Sequence, residues 1–279
     1  MTIRLLAVYI VILHTACTRL ESVAPLQTPP VSLIAYDSFL NKLNSQDITS
    51  IDEAKTKYIE IFQTEKADTK DQAFLLFLDY YDQMNSSLNY SIENEEQNQD
   101  PFILKDQIRN YQANGFELGF SEGVYFIKQN KAYIANHFYT HVSSVLKKYL
   151  EQLYKESNEG FLEDASIVIT PEQFSDRLAW WDSFIEDNPN FILLHEAKEN
   201  RKRLLTLFLT GIDNTPLLDD RNRLTTYYES AYEVIKKRFP NTTTTKLLGL
   251  YFSALEKGDV NTAMFLVKDL RMRGIIQSD

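Results

Sequence analysis

The chain has 279 residues, with 29 Lys and Arg against 39 Asp and Glu, a formal net charge of −10. A surface this acidic repels phosphate backbones, which argues against nucleic acid as a partner. Aromatic residues are plentiful (17 Phe, 16 Tyr), which excludes wholesale disorder. Gly and Pro number 8 each, too few for the many tight turns of a sandwich or barrel, and neither GxGxxG nor GxxxxGK[ST] occurs. The composition therefore predicts an all-α fold.

At the start, Arg4 precedes nine apolar residues, Leu5 to Leu13, and the small residues Thr15 and Ala16 precede Cys17, the single cysteine. A run of nine is far short of the roughly 20 residues that cross a bilayer as a helix, but it fits the apolar region of an export signal. The order resembles the bacterial lipobox, in which cleavage occurs before a cysteine lipidated on sulfur; His14 departs from it, standing where an aliphatic residue is usual. Three readings compete: lipidation of Cys17, ordinary signal cleavage after Ala16 or Ala24, and a buried structural cysteine. The first is preferred, because Pro25, Pro29 and Pro30 make the following stretch a tether rather than a continuing helix. The expected organisation is a signal peptide at 1–16, a flexible tether at 17–32 and a helical domain at 33–279. By resemblance, Thr18 after the cysteine implies the outer membrane if the bacterium has two.

Helical periodicity starts at Val31. Ile51, Ala54, Tyr58, Ile61 and Phe62 share one face behind the capping box Ser50 to Glu53. Ala73, Phe74, Phe77, Leu78 and Tyr81 form the next face, expected to end before Asn85 and to pair antiparallel with the first. SIENEEQNQDP, residues 91–101, has no apolar face and reads as a solvated loop that permits a subdivision of the domain. Alternating Phe116, Leu118 and Phe120, then Gly123, then Val124 to Ile127 predict a small β-hairpin near 115–128. A long helix is expected from about Ile134 to Lys155, ended by Asn158-Glu-Gly160. Thr170-Pro-Glu-Gln173 is a helix start, with a hydroxyl cap and Pro at the first position. That helix should run to Asn188-Pro189, and another from about Phe191 to Leu209, stopped by Gly211.

The segment 171–275 suggests a repeat. FIEDNPN, a helix and GIDNT are echoed by IKKRFPN, a helix and GDVNT, with Pro189 and Pro240 51 residues apart and Gly211 and Gly258 47 apart. Within residues 247–274, Leu248, Gly249, Phe252, Gly258 and Ala263 resemble a tetratricopeptide unit whose first helix or turn is two residues too long. The resemblance implies antiparallel helix pairs in a bundle or short solenoid, whose concave faces commonly hold peptides or proteins. It carries no residue-level site.

Candidate site residues follow from chemistry. His137 and His141, four apart, would share one face of the predicted long helix and could offer two imidazoles to a metal. Phe138 stands where a metalloprotease needs Glu, and a third ligand would have to come from Glu122 or His195, so the expectation is no metal and no cofactor. The acidic clusters at Glu163-Asp164, Asp213 and Asp219-Asp220 lack the spacing of a calcium loop and read as solvated. Of Trp180 and Trp181, the second falls on the core stripe of Phe174 and Leu178, leaving Trp180 as the exposed aromatic for a ligand, a partner or a helix contact. Glu122 sits at the hairpin turn, near Tyr125 and Tyr133.

The chain thus resembles helical lipoproteins of the bacterial envelope. The preferred function is a non-enzymatic binding or scaffolding role, with the membrane held through Cys17 and a protein or peptide held by the helix pairs. The alternative is a small-molecule or glycan-handling lipoprotein, hydrolytic or not, with a cleft formed by Glu122, Tyr125, Tyr133 and the histidines. GxSxG is absent, and no other cysteine could act as nucleophile.

Overall fold

The computed structural model describes residues 29–94, 108–121 and 124–278. Cys17, the signal segment, most of the tether and Glu122 lie outside the described residues. The described chain is mostly helical, with three short antiparallel strand pairs. No helix among the described residues is long and apolar enough to cross a membrane.

α1 (Val31–Leu40) starts directly after Pro30, so the last two residues expected in the tether are helical. Its Tyr36 packs edge-on against Phe62 of α2 (Ser50–Phe62), and the Tyr36 hydroxyl donates to the Ala54 carbonyl at 2.9 Å. α3 (Ala67–Asn94) packs antiparallel on α2, as expected, but does not stop before Asn85. The expected stop rested on polar residues from Asn85 onward. Tertiary contacts override it: Leu88 is buried, and Asn89 finds a backbone to pair with. Residues 91–94, read as loop, therefore end this helix.

After helical residues 108–113 (α4), β1 (Phe116–Ser121) and β2 (Val124–Gln129) form the predicted hairpin, in a register that sets Gly119 opposite Phe126. The Phe126 ring lies over Gly119, where a β-carbon would stand 2.4 Å from it. Asn89 acts as a surrogate strand for β2. Its side chain accepts from the Ile127 N–H at 2.7 Å and donates to the Ile127 carbonyl at 2.8 Å. The pairing satisfies backbone groups that a two-stranded sheet leaves open.

The single helix expected from Ile134 to Lys155 is two, α5 (Lys131–Phe138) and α6 (Ser144–Glu159). Apolar spacing continues across the break, which is why periodicity misses it. The break is made by Ser143, which is extended at ψ 157°, caps α6 by accepting from Leu146 N–H at 3.1 Å, and donates its own N–H to the buried Asp71 carboxylate at 2.8 Å. Burial holds the Asp71 carboxyl above its ordinary range, against the lowering by its bonds to Ser143.

Gly160, at φ 72°, ends α6. The chain then forms β3 (Leu162–Glu163) and β4 (Ser166–Ile167) and enters α7 (Pro171–Asp187) through the predicted capping box of Thr170 and Gln173. α8 (Leu194–Thr210) follows, three residues later than expected at its start. β5 (Gly211–Ile212), β6 (Thr215–Pro216), α9 (Thr226–Arg238), α10 (Thr243–Glu256) and α11 (Val260–Met272) complete the chain.

α7 packs against α8, α9 and α10. The turns leaving α7 and α9 match: Asn188 (φ −128°, ψ 61°) and Phe239 (φ −129°, ψ 51°) each donate N–H to the carbonyl four residues back. Gly211 has φ 71° and ψ −169°, a region essentially restricted to glycine, and a β-carbon there would stand 2.5 Å from the Leu217 nitrogen. Gly211→Ala is expected to lower the unfolding free energy by about 2 kcal/mol or more, read as a shift in urea midpoint. Buried residues from α1 to Ile276 form one contiguous core.

Candidate functional site

Of the described residues singled out from sequence, Tyr133 and His137 meet, ring centroids 4.5 Å apart, while Trp180 packs in α7. Trp180 is half-buried, its ring stacked on Phe184 at 4.8 Å and set edge-on to Trp181, so it serves a packing contact rather than an exposed platform. Trp181 is buried, and its indole N–H donates to Glu156 at 2.7 Å. Tyr133 is buried beside Tyr81 and His137, in the core rather than on a cleft wall. Tyr125 pairs across the hairpin with Phe120, ring centroids 4.7 Å apart.

His137 lies in the last turn of α5, and His141 follows in the break before α6. The two therefore do not share a helix face, because the helix that would have aligned them ends between them. Among the described residues no group of three or more His, Cys, Asp and Glu side chains could hold a metal ion. Burial, and then the Lys55 ammonium, hold the His137 imidazole below its ordinary pKa, with Asp52 acting the other way.

A histidine lowered in this way has a definite linkage sign. Between its folded value and about 6.5 the unfolded chain binds the proton more readily, so stability falls as pH drops through that window. Unfolding free energy measured at pH 7.5 and pH 5.5 should fall more for the wild type than for His137→Gln.

A mainly apolar cleft lies between α11 and the β5–β6 hairpin, with a volume of about 960 Å³. One wall exists because Gly211 ends α8 and sends the chain through Asp213-Asn214. The tip of that hairpin docks on the tip of β3–β4. Asn214 donates its backbone N–H to the Ala165 carbonyl at 3.0 Å and its amide to the Asp164 carbonyl at 2.6 Å, and Thr215 Oγ1 accepts from Ile167 N–H at 2.9 Å. Asp164 and Ala165 both have positive φ (46° and 53°), as a two-residue hairpin turn of this hand requires.

The other wall is α11, started by Asp259, whose carboxylate accepts from the Thr262 N–H at 3.0 Å and hydroxyl at 2.7 Å. Ala263, Val267 and Leu270 face inward. On the floor, the buried Tyr251 donates its hydroxyl to the Leu209 carbonyl at 2.7 Å, and burial pushes its pKa up. The rim carries Met264, Phe265, Lys268 and Arg271 from α11, and Ile212 and Asp213 from the hairpin.

Comparison with protein-family models, curated proteins and solved structures returns no match to this chain.

The outward face of α11 is the feature that sequence reading passed over. Met264, Phe265 and Met272 are 66%, 67% and 69% exposed, although they sit within a helix that reads as core-forming. Three large apolar side chains this open on one helix, two of them lining a cleft, are unlike singly scattered surface residues. A signal was present in the sequence: α11 has apolar residues on more of its circumference than one buried face needs, as MFLV at 264–267 shows. The tyrosine and the carboxylate of the cleft form no nucleophile–base pair, since Tyr251 donates to a backbone carbonyl and Asp213 stands on the rim.

Proposed function

We propose that this protein is a lipid-anchored envelope protein that holds a protein or peptide partner, without catalysis, at the α11 end of its helix pairs. The observation that carries the reading is the exposed Met264 and Phe265 lining the cleft between α11 and the β5–β6 hairpin, with the exposed Met272 further along the same helix. Helix stacks normally finish on a polar outer face, because an apolar one promotes association. Here α11, with no described helix on its outer side, exposes Met264, Phe265 and Met272 there. The anchoring half of the reading is supported by the basic, apolar and small-residue order ahead of Cys17, and about 0.8 kcal/mol per buried methylene makes two or three acyl chains a stable anchor.

Two measurements test it. Intact mass of the protein from its native host, beside Cys17→Ser, should show loss of residues 1–16 and added acyl groups only with the cysteine present. A photo-crosslinking residue at Phe265 should give a discrete adduct in the host envelope, while the same residue at the exposed Lys148 of α6 gives none. Met264→Ser with Met272→Ser, the crosslinking residue kept at 265, should abolish that adduct yet change stability by less than about 0.5 kcal/mol, since both side chains are exposed. An unmodified cysteine would remove the anchor, and equal crosslinking at both positions would remove the docking site.

A further inference from the structure

Resting on the docking site just proposed, we infer that its occupant is an amphipathic helix with carboxylates beside its apolar stripe, packing on α11 as the second helix of a third pair. α7 is followed by α8 and α9 by α10, each helix pair joined by a turn of matching backbone geometry. α11 packs on α10 through Ala263, Val267 and Leu270, and no described helix covers its opposite face. After Arg273 the chain turns at Gly274 (φ 67°), buries Ile276 and ties Gln277 N–H to Thr206 Oγ1 at 2.9 Å, back on α8.

The open face has the dimensions of a helix contact. Met264, Lys268 and Met272 succeed one another at intervals of four, with Phe265 beside them, a stripe of about 12 Å at 1.5 Å per residue. Such a stripe accepts side chains spaced i, i+3, i+4 and i+7 on a facing helix. An extended peptide would need a strand edge, and the adjacent hairpin offers strands of only two residues each.

Charge selects among helices. In a chain of net charge −10, this face carries a cation at its centre: Lys268 has no carboxylate paired with it among the described residues. The nearest acids on the helix and hairpin are Asp269, held by Arg273 at 3.2 Å, and Asp213 across the cleft. Two copies of this chain crossing at α11 would set Lys268 against Lys268 and bring two net-negative bodies together. An acidic helix instead gives the ammonium a partner.

The chain supplies its own reporters. Of four methionines, Met84 is buried in α3, whereas Met264 and Met272 flank Lys268. The full chain, labelled with 13C at the methionine methyls, would be titrated with synthetic 18-residue helical peptides bearing one leucine stripe flanked by Glu, the same peptide with Lys for Glu, and the Glu peptide with a central Pro.

The Glu peptide should shift Met264 and Met272 but not Met84, and bind at least about tenfold tighter than the Lys peptide, with Lys268→Glu reversing the order. The Pro peptide should lose most of its binding. Equal binding of the Glu and Lys peptides would overturn the charge selection, and undiminished binding of the Pro peptide would overturn the helix, in both cases leaving the docking site standing. Shifts of Met264 and Met272 on raising protein concentration alone, with a dimer by sedimentation, would make a second copy the occupant. If no peptide moves these two methyls, the docking site falls with the inference.

Discussion

Asp182→Ala is expected to lower the unfolding free energy by about 3 to 5 kcal/mol. Asp182 is buried in α7 and ion-paired with the Arg201 guanidinium of α8. Its other oxygen accepts the N–H of Thr244 at 3.2 Å, in the first turn of α10, where a carboxylate also meets the positive end of the helix. Arg201 closes the triangle by donating to Thr244 Oγ1 at 2.8 Å. Alanine would strand a cation and a buried N–H together.

The origin of the loss can be separated by variants. Asp182→Asn keeps an acceptor and removes the charge, so about 1 to 3 kcal/mol is expected. Asp182→Leu combined with Arg201→Met removes both charges and should recover most of the loss, because an unpaired charge in a largely covered site, more than the missing attraction, drives the destabilisation. Urea unfolding followed by fluorescence of the adjacent Trp180 and Trp181 reads all three. A loss for Asp182→Ala below about 1 kcal/mol would mean that water reaches Arg201 and that the three helices are held by apolar packing alone.

The second large effect is expected at Phe138, where alanine should cost about 3 to 5 kcal/mol. The Phe138 ring is fully buried at the end of α5 and meets Tyr58 of α2 at 5.1 Å, and Phe74 and Phe77 of α3 at 5.1 and 4.4 Å. α2 and α3 both close on this one side chain, so the cavity left by alanine has little freedom to collapse. Phe138→Leu should cost distinctly less. Because the core is contiguous from α1 to Ile276, circular dichroism and tryptophan fluorescence should move together in both variants. Separate transitions would show that the tryptophan end unfolds independently of the aromatic cluster.

These two residues also mark the boundary of what the sequence discloses. The WWD of α7 draws attention to its tryptophans, while Asp182 is the group that ties three helices together. Phe138 interrupts a metal motif in the sequence and is the centre of a core in the structure. Arg177 is similar: buried in α7, it donates to Glu159 at 2.9 Å and to the Gly160 carbonyl at 3.0 Å and stacks over Phe161. No spacing rule separates it from a surface arginine.

From the sequence by itself came the helical class, a hairpin near 115–128, the capping box at Thr170, the stops at Gly160 and Gly211, and the inward face of Trp181. Each depends on side chains within about four residues of one another, where helical period, cap chemistry and positive φ are decided locally. The tertiary structure decided the break at Ser143, through Asp71 72 residues away, and the continuation of α3 past Asn85, through a strand 38 residues on. It also decided that α11 keeps an apolar face uncovered. Those outcomes depend on which distant backbone or charge a side chain meets, and burial, rather than neighbouring residues, sets the strength of that meeting.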